Sequence, residues 1–154
     1  MSDSPRLQLF HQAPKLLKAM VNLSYAVKQS SLGEHLVELV FLRVSQVNGC
    51  GPCIDMHWRD LVKQGADPRH LNSLSAWRES PFFNARERAA LGWADAMNGL
   101  PGRDATEVAW PALRAQFSEE EIAELCYAVA AVRGWNTING ALRSQIAEQP
   151  LPGM

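Results

Sequence analysis

Apolar residues recur at helical spacing along most of this chain. Between Ala13 and Ser30 they stand at Leu16, Leu17, Met20, Val21, Leu23 and Val27, one stripe of a 3.6-residue repeat. A second helix is expected from about Gly33 to Val47. It is entered through Ser31-Leu32-Gly33-Glu34, which has the spacing of a capping box. Leu36, Val37, Leu39, Val40, Phe41, Leu42, Val44 and Val47 make this helix apolar nearly all the way round, the pattern of a buried helix. Asn48-Gly49 then supplies a left-handed stop. A third helix follows from about Cys50 to Gln64, with Pro52 in the first turn, where a missing N–H costs nothing.

The same reading continues to the C-terminus. Asp67-Pro68 is an N-cap followed by an N1 proline, so a short fourth helix starts there. Glu79-Ser80-Pro81 breaks the pattern, and Asn84 to Glu87 caps a fifth helix reaching about Asn98. Gly99 to Asp104 is turn-rich, and a short helix is expected within Glu107 to Phe117, starting near Pro111. Ser118 to Glu121 is a second capping box, with acids in the first turn to suit the helix dipole. Ile122, Leu125, Cys126, Val129 and Val132 line the face that follows. Gly134 is a candidate kink before Ile138, Leu142 and Ile146 resume the stripe. Met1 to His11 reads as a loose arm and Leu151 to Met154 as a frayed tail. No strand-length alternation appears, so the fold class is all-α: one compact multi-helix domain over 1–154, its core from about 13 to 148.

Composition narrows the function classes. A chain of 154 residues with 47% hydrophobic and 20% charged residues has ordinary globular balance. A net charge of −1 without any basic run gives no reason to expect nucleic acid or an anionic membrane as partner. The polar start, Met1 to Arg6, lacks the features of a signal peptide, and the longest apolar run, Leu125 to Val132, is too short to span a bilayer. A soluble cytoplasmic protein is expected. Three cysteines, an odd count, argue against a secreted disulfide framework.

The candidate chemistry lies between Glu38 and His57. Cys50-Gly51-Pro52-Cys53 followed by His57 places two sulfurs and an imidazole on one helical face. Thiols that close can form and break a disulfide, and the imidazole can move the protons. Glu38 lies ten residues before Asn48 and His57 nine after it, so in an antiparallel hairpin the two sit nearly level. A carboxyl inside so apolar a helix must be paired, or else stay protonated with a raised pKa. Its candidate structural partner is Arg43 or a group on a neighbouring helix. The helix dipole favours Cys50 as the exposed attacking sulfur, whereas the imidazole favours Cys53. A zinc site would need a fourth ligand beside Cys50, Cys53 and His57, drawn from His35, His70, Cys126 or Glu38. No second CxxC or HxxxH is present, so no metal is expected. Cys126 reads as a buried, inert thiol, and His11, His35 and His70 as surface or capping residues.

The spacing of Glu38, Cys50, Cys53 and His57 resembles that of the alkylhydroperoxidase AhpD-like branch of the carboxymuconolactone decarboxylase family. Gln64-Gly65, Ala85 to Leu91 and the acidic start at Ser118 to Glu121 also fit. The resemblance implies an all-helical fold with the CxxC at the N-terminus of a central helix, assembled as homotrimers or homohexamers. It implies a hydroperoxide substrate, reduction of the resulting disulfide by a lipoyl domain or a thioredoxin-like protein dithiol, and a peroxiredoxin as a further partner. Cys53 would then attack, Cys50 would resolve, Glu38 and His57 would relay protons, and no cofactor would be needed. One departure stands out: the family pattern has a His before the second cysteine, and here that residue is Pro52. A different class remains beside this one, a non-enzymatic redox sensor or interaction module whose disulfide alters assembly.

Overall fold

The computed structural model describes residues 4–148, and among these the regular structure is helical throughout. In chain order the helices are α1 (Leu9–Gln12), α2 (Pro14–Lys28), α3 (Glu34–Asn48), α4 (Gly51–Lys63), α5 (Pro68–Asn72), α6 (Ala85–Asn98), α7 (Asp104–Gln116) and α8 (Glu119–Leu142). A 3-10 turn at Ser73–Ala76 follows α5. The tail expected at 151–154 lies outside the described residues. None of the helices is long and apolar enough to cross a membrane.

α3 is the enclosed element. It packs against α2, α4, α6 and α8, which is why its apolar residues run around the whole cylinder. Val37, Leu39, Val40, Phe41, Leu42 and Val44 are all within 1% of complete burial. Each such side chain contributes roughly 1.5–3 kcal/mol. One side of α3 joins α6 and α8 in a core that includes Phe41, Trp93, Leu113 and Leu125. The other joins α4 and the 3-10 turn through Leu39, Leu42, Leu61, Leu74 and Trp77.

The turn from α3 into α4 is anchored by polar groups. Gly49 ends α3 in the left-handed conformation, φ 68°. Asn48 exchanges hydrogen bonds with Asn98 of α6, at 2.9 and 3.0 Å, and donates to Asn136 of α8 at 3.0 Å. Asn136 in turn donates to the buried Ser45 hydroxyl at 3.0 Å. Three helices thus hold the point from which α4 departs.

Besides the Asp67 cap of α5, which accepts from the Arg69 N–H at 2.8 Å, two of the three expected Ser/Asn-to-Glu caps form in full. Asn84 and Glu87 exchange side-chain and backbone hydrogen bonds at the start of α6, and Ser118 and Glu121 do so at the start of α8. The third does not. α3 is capped by Gly33 at φ 84°, with no side-chain cap, because the chain turns once more between Ser30 and Gly33. Ser31 instead donates to Glu124 on α8 at 2.6 Å.

Other boundaries also move. The N-terminal arm contains α1, and Arg6 bonds the carbonyls of Leu142 and Ala141. α7 begins at Asp104, well before Pro111, which sits inside it. α8 runs without interruption through Gly134. That glycine makes room for α2, since a Cβ there would meet Met20 Cε at 3.2 Å. Arg143 ends α8 at φ 55°, so Ile146 lies beyond the helix and covers Gly51. Cys126 is half-buried at the margin of the core rather than fully buried.

Candidate active site

Cys50 is the N-cap of α4, Pro52 lies in its first turn, and Cys53 and His57 follow on one face. The two cysteines are joined as a disulfide, with Cα atoms 5.3 Å apart. The level match between Glu38 and His57 becomes contact: His57 Nδ1 lies 2.7 Å from Glu38 Oε2. Both are buried, Glu38 at 0% and His57 at 3% exposure. The ring of Phe41 packs against the imidazole, centroids 5.0 Å apart.

Glu38 does not pair with Arg43. Arg43 turns to α6 and makes a two-point contact with Asp95, at 2.7 and 3.1 Å. The second oxygen of Glu38 meets the ammonium of Lys28, at the last turn of α2. Lys28 also stands 3.5 Å from Asp60 of α4. Burial alone would push the Glu38 carboxyl up. The hydrogen bonds and charges of His57 and Lys28 outweigh it and hold the carboxyl below its ordinary value. Of the two alternatives for a buried carboxyl, the structure shows the paired one. Lys28 is held above its ordinary value: burial lowers it, and Glu38 and Asp60 more than reverse that.

With Glu38 ionised, Nδ1 of His57 carries a hydrogen and donates it to the carboxylate. Glu38, His57 and Asp60 bring ligand atoms within 4.8 Å of one another, but the Lys28 ammonium already supplies the positive charge there. The imagined zinc set is not assembled. The two sulfurs bond each other, His35 lies 3.7 Å from Glu87, and His70 stacks on Phe82 at 4.1 Å.

An open apolar cavity of about 410 Å³ adjoins this group. Val21, Tyr25, Phe41, Pro52, Met56 and Trp135 make most of its wall, with Ser24, Lys28, Cys53, His57 and Asn139 supplying polar atoms. Cys53 lines it and Cys50 does not. The picture of Cys50 as an exposed sulfur is overturned: Cys50 is 4% and Cys53 2% exposed. Asn139 of α8 donates to Cys53 Sγ at 3.5 Å. Lys28 and Asn139 escaped the sequence reading. They come from α2 and α8, far from the motif in the chain, and no local signal marks them.

The sequence profile of the carboxymuconolactone decarboxylase family matches residues 14–96, more than half of the chain. The chain belongs to this family. It is 32% identical over 146 residues to the uncharacterized protein YdfG of Bacillus subtilis, covering 95% of this chain and 99% of that protein. A crystal structure of a protein of unknown function from Agrobacterium tumefaciens, described provisionally as the antioxidant defence protein AhpD, superposes with a TM-score of 0.90. It shares 36% identity, over 95% of this chain and all of that one. The debrominase Bmp8 has the same fold, with a TM-score of 0.79 at 23% identity, over 90% of this chain and 75% of that one. The protein is thus an AhpD-like, all-helical member of the family, and its structural neighbours include both peroxidase-related proteins and a debrominase.

Proposed function

We propose that the protein is a thiol–disulfide oxidoreductase that reduces hydroperoxides. The observation that carries this reading is the placement of Cys53 on the wall of an apolar cavity, together with His57 and backed by the buried Glu38–His57 pair.

In the reduced protein, Nε2 of His57 takes the proton of Cys53. The thiolate attacks one peroxide oxygen, the O–O bond breaks, and the alcohol leaves with the proton from His57. Cys53 is now a sulfenic acid. The Cys50 thiol attacks its sulfur, expelling water and forming the disulfide. A protein dithiol, of lipoyl or thioredoxin-like type, then returns two electrons and two protons. Pro52 shapes the cavity without joining the relay, so proton transfer rests on Glu38 and His57. The apolar wall suits an organic hydroperoxide. Assembly into trimers or hexamers belongs to the same reading, supported by the exposed apolar residues Leu16, Val21 and Tyr25 on α2.

The test is peroxide consumption with a dithiol reductant by wild type, Cys53→Ser and Cys50→Ser. With reductant, wild type should turn over and Cys53→Ser should be inactive; without reductant, Cys50→Ser should consume about one equivalent and stop. Equal turnover in all three would end the peroxidase reading. A disulfide that changes the sedimenting species without any turnover would favour the redox sensor instead.

A further inference from the structure

Four ionisable side chains from three helices meet at one end of the cavity: Lys28 of α2, Glu38 of α3, and His57 and Asp60 of α4. The relay described above uses two of them. Lys28 lies on the cavity wall and its side chain is 23% exposed, yet its ammonium is turned inward against a fully buried carboxylate.

We propose that Lys28 is a positioning residue for the relay: its ammonium keeps Glu38 ionised, so that Nε2 of His57 stays free of hydrogen and open to accept a proton at the cavity. This rests on the functional reading of the same site.

The reasoning follows from what Glu38 would do without its cation. A fully buried carboxylate facing His57 alone has two ways to lower its energy. It can take a proton itself. The carboxyl then donates to Nδ1, and the neutral imidazole must carry its hydrogen on Nε2. Alternatively His57 takes a proton and becomes a cation, with hydrogens on both nitrogens. Both routes add one proton to the pair, and both block Nε2. Lys28 prevents either by supplying the positive charge from the opposite side of the carboxylate.

The charges around this carboxylate are His57, Lys28 and Asp60, whose carboxylate stands 3.5 Å from Lys28 and brings an oxygen within 4.8 Å of both Glu38 and His57. α6 and α8 also pack on α3, and among their acids Glu87 pairs with His35, Asp95 with Arg43, Glu119 with Arg114, Glu121 with Arg86 and Glu124 with Ser31, while Glu120 is exposed. Asp60 opposes Lys28 partially, so its removal should have the reverse effect.

Nitrogen NMR of the imidazole, in the disulfide form where neither Cys50 nor Cys53 titrates, reads the outcome directly. The His57 signals are assigned by their loss in His57→Gln. Wild type at pH 7 should show a bare Nε2. In Lys28→Met, Nε2 should carry hydrogen, and the midpoint of the pair's titration should rise by at least about one pH unit. Lys28→Arg should restore the wild-type pattern. Asp60→Asn should shift the midpoint downwards. A Lys28→Met spectrum matching wild type, with the same midpoint, overturns the proposal. Should that variant fail to fold, Lys28→Gln decides in its place: a raised midpoint with hydrogen on Nε2 supports the role, and an unchanged one overturns it. None of these readings requires turnover, so a failed peroxide assay would remove the peroxidase reading while leaving this result legible.

Discussion

Glu38 would be the costliest residue in the fold if it stood alone. It is fully buried among the apolar residues of α3, and it is tolerated because His57 and Lys28 each engage one of its oxygens. Glu38→Gln therefore does two separable things. It removes the acceptor that holds the His57 tautomer, so turnover should fall about 10²-fold. It also leaves the Lys28 ammonium facing a neutral amide, which should cost roughly 1–3 kcal/mol of stability, moderated because Lys28 can turn to water. Turnover and thermal melting, measured together, separate the two. A lowered melting temperature with unchanged turnover would leave Glu38 purely structural. At this scale the motif Cys50, Cys53, His57 with Glu38 was readable, because all four lie on one hairpin whose register follows from helix rise. Lys28 was not, because nothing in the chain indicates which way α2 turns against that hairpin.

Helix ends show where local sequence governs and where it yields. Ser118 and Asn84 cap their helices as their sequences indicate, since both partners of a capping box lie within one turn. Ser31 has the same spacing but sits two residues too early, and it reaches across to α8. Ser118→Ala should accordingly cost about 1 kcal/mol. Ser31→Ala, which loses an exposed bond, should cost below about 0.5 kcal/mol. Urea unfolding of the two variants tests this, and equal losses would contradict the assigned caps. Gly134 was readable as a glycine within a helical pattern, but not as a contact point. Its neighbour Met20 lies on another helix, and it is packing rather than backbone freedom that places a glycine there. Likewise Pro111 stands inside α7 rather than at its start, against its own preference for a first turn.

Across the whole molecule, buried or half-buried acids set the response to pH. Glu38, Glu87 and Asp95 are all held below their ordinary values. For Glu38, burial opposes the shift and His57 and Lys28 produce it; for Asp95, burial opposes it and Arg43, Trp77 and Arg78 produce it; for Glu87, the bond to His35 is the main cause. A carboxyl with a lowered folded pKa adds stability that is complete above its unfolded value, here 4.5 for Glu and 3.8 for Asp. That contribution disappears as pH falls through the folded value. Melting temperature should therefore decline below about pH 4.5 and then fall more steeply, and Glu38→Gln should lose less on acidification than wild type. A wild-type profile flat from pH 7 to pH 3 would contradict these pairings. What the chain determined unaided was its helical class, the enclosed character of α3 and the sulfur–imidazole–carboxylate spacing, because each depends on periodicity and on neighbours within one hairpin. What only tertiary packing decided was the burial of Cys50, the opening of Cys53 to a cavity, and the third charge on Glu38. Those depend on how α2 and α8 close over the hairpin, an arrangement settled by contacts between residues distant in sequence.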